Sequence, residues 1–212
     1  MTDRLKLYNK ALRYCGERSL SSLTEEREPR RLLDAVWSEG GVKYCLEQGF
    51  WNWCSRYVRF DYDTSVTPQF GYNRAFQQPS DFVKTCGVCS DEFFKNPLIN
   101  YSDLNGYWYA SIDQIYVQYV SDGTSYGNDL TIWPESFTNF AAAYFASEII
   151  TKLTGDEKKR DSVEKKMNDF LRKAKSLDAA NTPQQFPAPG NWGRSRYGRS
   201  SRDNGSRGNL IG

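Results

Sequence analysis

Two carboxylate pairs, Asp61 with Asp63 and Asp91 with Glu92, carry the residue type that glycoside hydrolysis uses. A polysaccharide or peptidoglycan hydrolase sets two carboxyl groups across the scissile bond, about 5–9 Å apart. Sequence neighbours meet that separation only where the fold turns them together, so acids exposed at a strand end or turn are the plainer reading. Cys86-Gly87-Val88-Cys89 has the spacing of a redox dithiol or of half a zinc knuckle. A structural zinc takes four ligands, and no second Cys-x-x-Cys follows. The five cysteines are an odd number, which favours reduced packing thiols. The chain has no histidine, which excludes Ser-His-Asp and Cys-His nucleophilic catalysis and His-ligated zinc. No cofactor or metal is therefore expected, and an enzyme is not the favoured class.

Arginine supplies the remaining chemistry. Residues 190–212 hold five arginines and one aspartate, a charge of +4. Residues 1–189 hold 23 basic and 25 acidic side chains, a charge of −2, so the body is nearly neutral. Arg194, Arg196, Arg199, Arg202 and Arg207 alternate with the aromatic Trp192 and Tyr197, and Phe186 lies just before them. Forked guanidinium donors suit a carboxylate surface or a phosphate backbone equally. The Pro, Gly and Ser content of 181–212 leaves little apolar area to offset backbone ordering of about 1–2 kcal/mol per residue. The expectation is an extended basic arm that orders on a partner, with the three aromatics as anchors.

The elements that must position these groups follow from periodicity. Residues 3–15 put Leu5, Tyr8, Leu12 and Cys15 on one helical face, with Gly16 as the stop. A second helix begins near Pro29 and runs to about Gln48, carrying Leu33 and Trp37. Gly40-Gly41 in its middle marks either a close backbone approach or a local break. From Arg56 the pattern alternates, and strands are predicted there, at 82–89, and through 106–120 with Ser111-Ile112-Asp113 as a hairpin turn. Helix returns after Pro134, with Phe137, Phe140, Ala141, Tyr144 and Ile149 inward and Gly155 as the stop. A last amphipathic helix carries Val163, Met167, Phe170, Ala174 and Leu177.

The class is therefore α+β: a helical bundle from the N- and C-terminal helix pairs (1–54 and 131–180), a β-rich insertion (55–130) and an extended C-terminal arm (181–212). Trp37, Phe140, Tyr144 and Phe170 are the expected bundle core. No apolar run is long enough to span a membrane and no apolar leader opens the chain, so a soluble protein made in the cytoplasm is expected.

Five segments in one order resemble the tail tubular protein A family, the head-to-tail adaptors of short-tailed bacteriophages. They are LYNKALRYCGERSLSSLTEEREPRRLLDAVW, EGGVKYCLEQGFWNWCSRYVRF, FGYNRAFQQPSDFVKT with its Phe-Gly-Tyr, Ala-Phe and Pro-x-Asp pattern, YWYASIDQIYVQYVSD and WPESFTNFAAAYFASEI. Together they cover most of residues 3–180. The resemblance implies a virion protein at the head-tail junction, an expected dodecameric ring between the portal and a tail nozzle similar to tail tubular protein B. Double-stranded DNA passes through such a ring at genome ejection. It implies an arm reaching the portal, and it gives a use for aromatics on both faces of the predicted sheet: Tyr107, Trp108 and Tyr109 are the expected subunit-interface residues. A nucleic-acid-binding protein working through its Arg/Gly-rich tail and a carboxylate-dependent cell-wall hydrolase are the competing classes.

Overall fold

A computed structural model describes residues 2–68 and 71–181. The arm residues Phe186, Trp192, Arg194, Arg196, Tyr197, Arg199, Arg202 and Arg207 lie outside the described residues. Among the described residues the fold is mixed α+β, with five α-helices and two three-stranded antiparallel sheets.

Helix α1 spans Arg4–Cys15; the Asp3 carboxylate accepts from the Lys6 amide at its start, and Gly16 closes it at φ +78°. The predicted second helix is two: α2 (Glu28–Ser38) and α3 (Gly41–Glu47). Of the two readings of Gly40-Gly41, the local break is the one the structure shows. Gly40 takes φ +94° and breaks the helix, a conformation natural to glycine. A Cβ on Gly41 would stand 2.7 Å from the Val36 carbonyl oxygen of the preceding turn and 3.3 Å from the Phe145 ring, so the expected approach of another backbone is corrected: the close neighbours are the break itself and a side chain.

Helix α4 (Glu135–Thr154) is buried on nearly all sides, including Phe137, Phe140, Ala141 to Ala143, Phe145, Ala146, Ile149 and Ile150. It lies against α1, α2, α3 and the last helix, α5 (Glu157–Ala180), and the alanine run is what lets these neighbours close in. An all-round apolar helix belongs in the middle of its neighbours. Of the four expected core residues, Phe140 is fully buried, while Trp37, Tyr144 and Phe170 are half-buried at its margin. Trp37 packs edge-on to Tyr8, and Phe170 lies against Tyr14. Leu177, expected inside, is 58% exposed. The inner line of α5 passes from Ala174 to Asp178 instead, because the Asp178 carboxylate accepts the Asn52 amide at 2.9 Å and holds the start of a 3₁₀ turn (Asn52–Cys54).

The first sheet has the order β1 (Ser55–Asp61), β6 (Gln114–Ser121), β3 (Phe82–Cys89). The second has β2 (Arg74–Gln77), β5 (Tyr107–Ala110), β4 (Ser102–Leu104). The predicted hairpin over 106–120 is thus corrected: β5 and β6 belong to different sheets, and Ser111-Ile112-Asp113 carries the chain from one to the other. The period-2 rule then sorts β6 cleanly. Ile115, Val117 and Tyr119 pack with Phe76, Val88, Trp108 and Ala110 of the paired sheets, while Val120 joins the helical core. Aromatics on the Tyr119 side of the first sheet thus find partners within the chain, while Tyr57 on the other side is exposed.

Candidate functional site

The Pro-x-Asp residues are Pro79-Ser80-Asp81, at the entry to β3, and Asp81 is the polar centre of the molecule's middle. Its carboxylate accepts from Arg56 Nη1 at 2.7 Å, Ser121 Oγ at 2.5 Å and Tyr119 Oη at 3.2 Å. Its backbone carbonyl accepts the Asp122 amide at 3.0 Å. The Arg56 guanidinium also lies over the Tyr126 ring, 5.0 Å from its centroid. Burial pushes the Asp81 carboxyl up, but the hydrogen bonds from Ser121 and Arg56 and the guanidinium charge outweigh it, and the net shift is downward. Burial raises the Tyr119 hydroxyl to about 12, with the Asp81 charge adding to it. Ala75 and Phe76 of the same segment are fully buried, and Gly71 turns at φ +81°. The short motifs in this segment are therefore a clamp, a core pair and a turn.

A folded pKa below the unfolded one gives stability that is present above the unfolded value, about 3.9, and is lost as pH falls through the folded value. Asp81→Asn is expected to lower stability at neutral pH by about 1–3 kcal/mol, since Arg56 loses its charged partner. Its acid-unfolding limb below about pH 4 should be shallower than that of the parent chain. Urea titrations at pH 7 and pH 3 measure both; a variant equal to the parent at pH 7 removes Asp81 from this role.

The carboxylate pairs do other work. Asp61 is exposed and pairs with Arg59 at 3.1 Å. Asp63 accepts from the Ser65 hydroxyl and amide, and these bonds hold its carboxyl below the usual range. Asp91 accepts the amides of Lys95 and Asn96 and is likewise lowered, with burial opposing. A glycosidase general acid needs a raised carboxyl. Asp178 is raised, chiefly by burial, but it is spent on the Asn52 amide. Cys86 and Cys89 are thiols raised by burial, on a strand distorted by a bulge between Thr85 and Gly87. Among the described residues no group of three or more His, Cys, Asp or Glu side chains is placed to hold a metal ion. Among the same residues no helix is long and apolar enough to cross a membrane.

Of the three expected interface residues, Trp108 is fully buried, Tyr109 is 6% exposed and Tyr107 is half-buried. The cause is their strand. β5 is the middle of its sheet, so Trp108 points into the second core and donates to Thr85 Oγ1 at 2.9 Å, while Tyr109 lies between Tyr72 and Tyr107. The large apolar groups that reach solvent furthest among the described residues are elsewhere: Ile99 (87% exposed), Phe93 (72%), Tyr57 and Phe50 (61% each), with Leu177 on α5 close behind. Tyr57 meets Phe94 edge-on at 5.0 Å, and Phe94 is held at φ +53°, uncommon for a bulky residue. Phe93 and Ile99 lie in the loop between β3 and β4, which has no periodicity to read, whereas Tyr57 lies on β1, where alternation shows a face but not what covers it.

No protein-family model matches the chain, and no curated protein matches it.

Proposed function

We propose that this protein is a head-to-tail adaptor: a virion protein of a short-tailed bacteriophage that forms a ring between portal and tail nozzle and lets double-stranded DNA pass. The observation that carries the reading is the collinear run of five segments over residues 3–180, each similar to the tail tubular protein A family. The finer architecture goes with it: the N- and C-terminal helices act as one bundle, residues 55–130 as an insertion and residues beyond 180 as an arm. In support, the helices α1 to α5 share one hydrophobic cluster and the sheets hold a second, although Val120, Val83 and Cys86 of the 55–130 segment belong to the first.

A ring subunit needs two flanks with apolar groups to bury against its neighbours. Tyr57, Phe93 and Ile99 meet that need, with Tyr107 the one member of the β5 triplet that retains appreciable surface. Trp108 and Tyr109 support the contact from behind by fixing the sheet. In this reading the arm docks on the portal, with Phe186, Trp192 and Tyr197 as anchors and the five arginines meeting acidic portal surface or DNA near the channel.

Deletion of residues 190–212 tests the arm. It leaves every described residue of both hydrophobic clusters in place, so the thermal transition is expected to stay where it is. Docking to the cognate portal ring, followed by sedimentation, should be lost. Docking at the parent chain's affinity would contradict the proposed arm.

A further inference from the structure

Helix α5 carries eight basic and five acidic side chains, and they are sorted by face. Lys158-Lys159, Lys165-Lys166 and Arg172-Lys173 recur every seven residues, and all six are exposed. Residues seven apart return to nearly the same side of a helix, about 10.5 Å further along. Lys158, Lys165 and Arg172 therefore lie opposite the buried Val163–Ala174 line, and Lys159, Lys166 and Lys173 lie beside them. The band is about 22 Å long. Glu157 and Glu164 fall on the other flank, and Asp161, three residues from Lys158 and four from Lys165, stands at the edge of the band. Asp169 is the one acid of α5 inside the band, and it is tied to Arg172 at 3.2 Å. Among the described residues, none of the five lysines has a carboxylate within ion-pair distance.

We infer that this band of α5 is a contact for the phosphate backbone of double-stranded DNA. The inference rests on the adaptor reading for the choice of duplex DNA as the ligand. The side chains between the bases favour phosphate over a protein partner. Ser162 and Ser176 share the band and can donate to phosphate oxygens, and there is no aromatic anchor among them. Protein interfaces deplete lysine and need buried apolar anchors, whereas a phosphate backbone asks only for spaced cations and small donors. Without groups to read bases or stack on them, the contact is indifferent to sequence and weak at each point, which suits a duplex that must move past. The near-neutral charge of residues 1–189 hides this band, because most of the acids that balance it lie outside it, Asp169 within it and Asp161 at its edge being the exceptions on α5.

The test uses the unassembled full chain and a fluorescent 20-base-pair duplex, with anisotropy read from low to physiological salt. Each phosphate contact adds about 0.9 to the slope of log K against log salt. Lys165→Glu with Lys166→Glu should reduce that slope by about two and weaken binding roughly 50-fold at 0.1 M salt. Asp169→Asn, which frees Arg172, should tighten binding several-fold; both changes are on exposed residues, and circular dichroism checks that the fold is kept. The same slope for parent and double variant would overturn the inference, leaving any binding to the segment beyond residue 181. So would absence of binding in the parent, or a double variant that binds DNA normally and loses only ring assembly. Because DNA binding is read without portal or ring, a flat titration leaves the adaptor reading standing, and a failed ring assay leaves this one standing.

Discussion

Trp108→Ala is expected to lower stability by about 3–5 kcal/mol, the range for emptying a fully buried large aromatic site. The indole is completely enclosed, 5.2 Å from the Phe60 ring and 5.4 Å from Phe82 by centroids. Its Nε1 donates to Thr85 Oγ1, which in turn donates to the Asp103 carboxylate at 2.8 Å, so the ring also links β5, β3 and β4. The thermal midpoint should fall on the order of 10 °C for a chain of this size. Trp108→Phe, which keeps most of the packing and loses the hydrogen bond, should cost clearly less. The outcome separates core from interface: an unchanged midpoint with impaired ring assembly would return Trp108 to the subunit contact.

Phe137→Ala should cost a similar amount, about 3–5 kcal/mol, on the helical side. Phe137 is 1% exposed and sits among Trp51, Trp53 and Trp133, with ring centroids at 4.9, 4.9 and 4.8 Å. Two of those indoles are anchored: Trp51 Nε1 donates to the Leu46 carbonyl and Trp133 Nε1 to the Gly127 carbonyl. Phe137 thus joins α4 to the 3₁₀ turn and to the segment leading into α4. Because three tryptophans surround it, the near-ultraviolet circular dichroism should weaken along with the midpoint. A variant with the parent's midpoint and spectrum would mean that the ring is not the keystone of this cluster.

How much of this was legible in the sequence depended on length and period. α1 and α5 are long enough for a face to show and α4 for an apolar run bounded by Pro134, and the stops at Gly16 and Gly155 take the left-handed backbone that glycine permits. β1 and β6 alternate over seven or eight residues and are readable for the same reason, whereas β3 shows no alternation. β2 and β4 have four and three residues, too few for a pattern, and β4 is Ser-Asp-Leu. Without them β5 looked like half of a hairpin with a free face, and its aromatics were assigned to a neighbour. Once β2 and β4 flank it, Trp108 has nowhere to go but inward. The local spacing of 106–120 cannot reveal that Arg74 to Gln77 pairs with it from more than thirty residues away.

The site chemistry divides similarly. Side-chain type alone made Asp61, Asp63, Asp91 and Glu92 candidates, yet turn geometry decided their use, as with the two amides that Asp91 accepts. Asp81 was visible only as one residue of a short motif, since its partners Arg56, Tyr119 and Ser121 lie 25 to 40 positions away. Net charge misled in another way. A sum over 189 residues cannot show that α5 sorts its bases and acids onto different faces, although the seven-residue spacing was there to be read.

The central claim is that copies of this chain close into a ring on a portal. Electron cryomicroscopy of the purified full chain, alone and after mixing with the cognate portal ring, tests it most directly. The account predicts closed rings on the portal, with Tyr57, Phe93 and Ile99 between adjacent subunits and a central channel wide enough for duplex DNA. Portal rings that remain bare at saturating protein would contradict it.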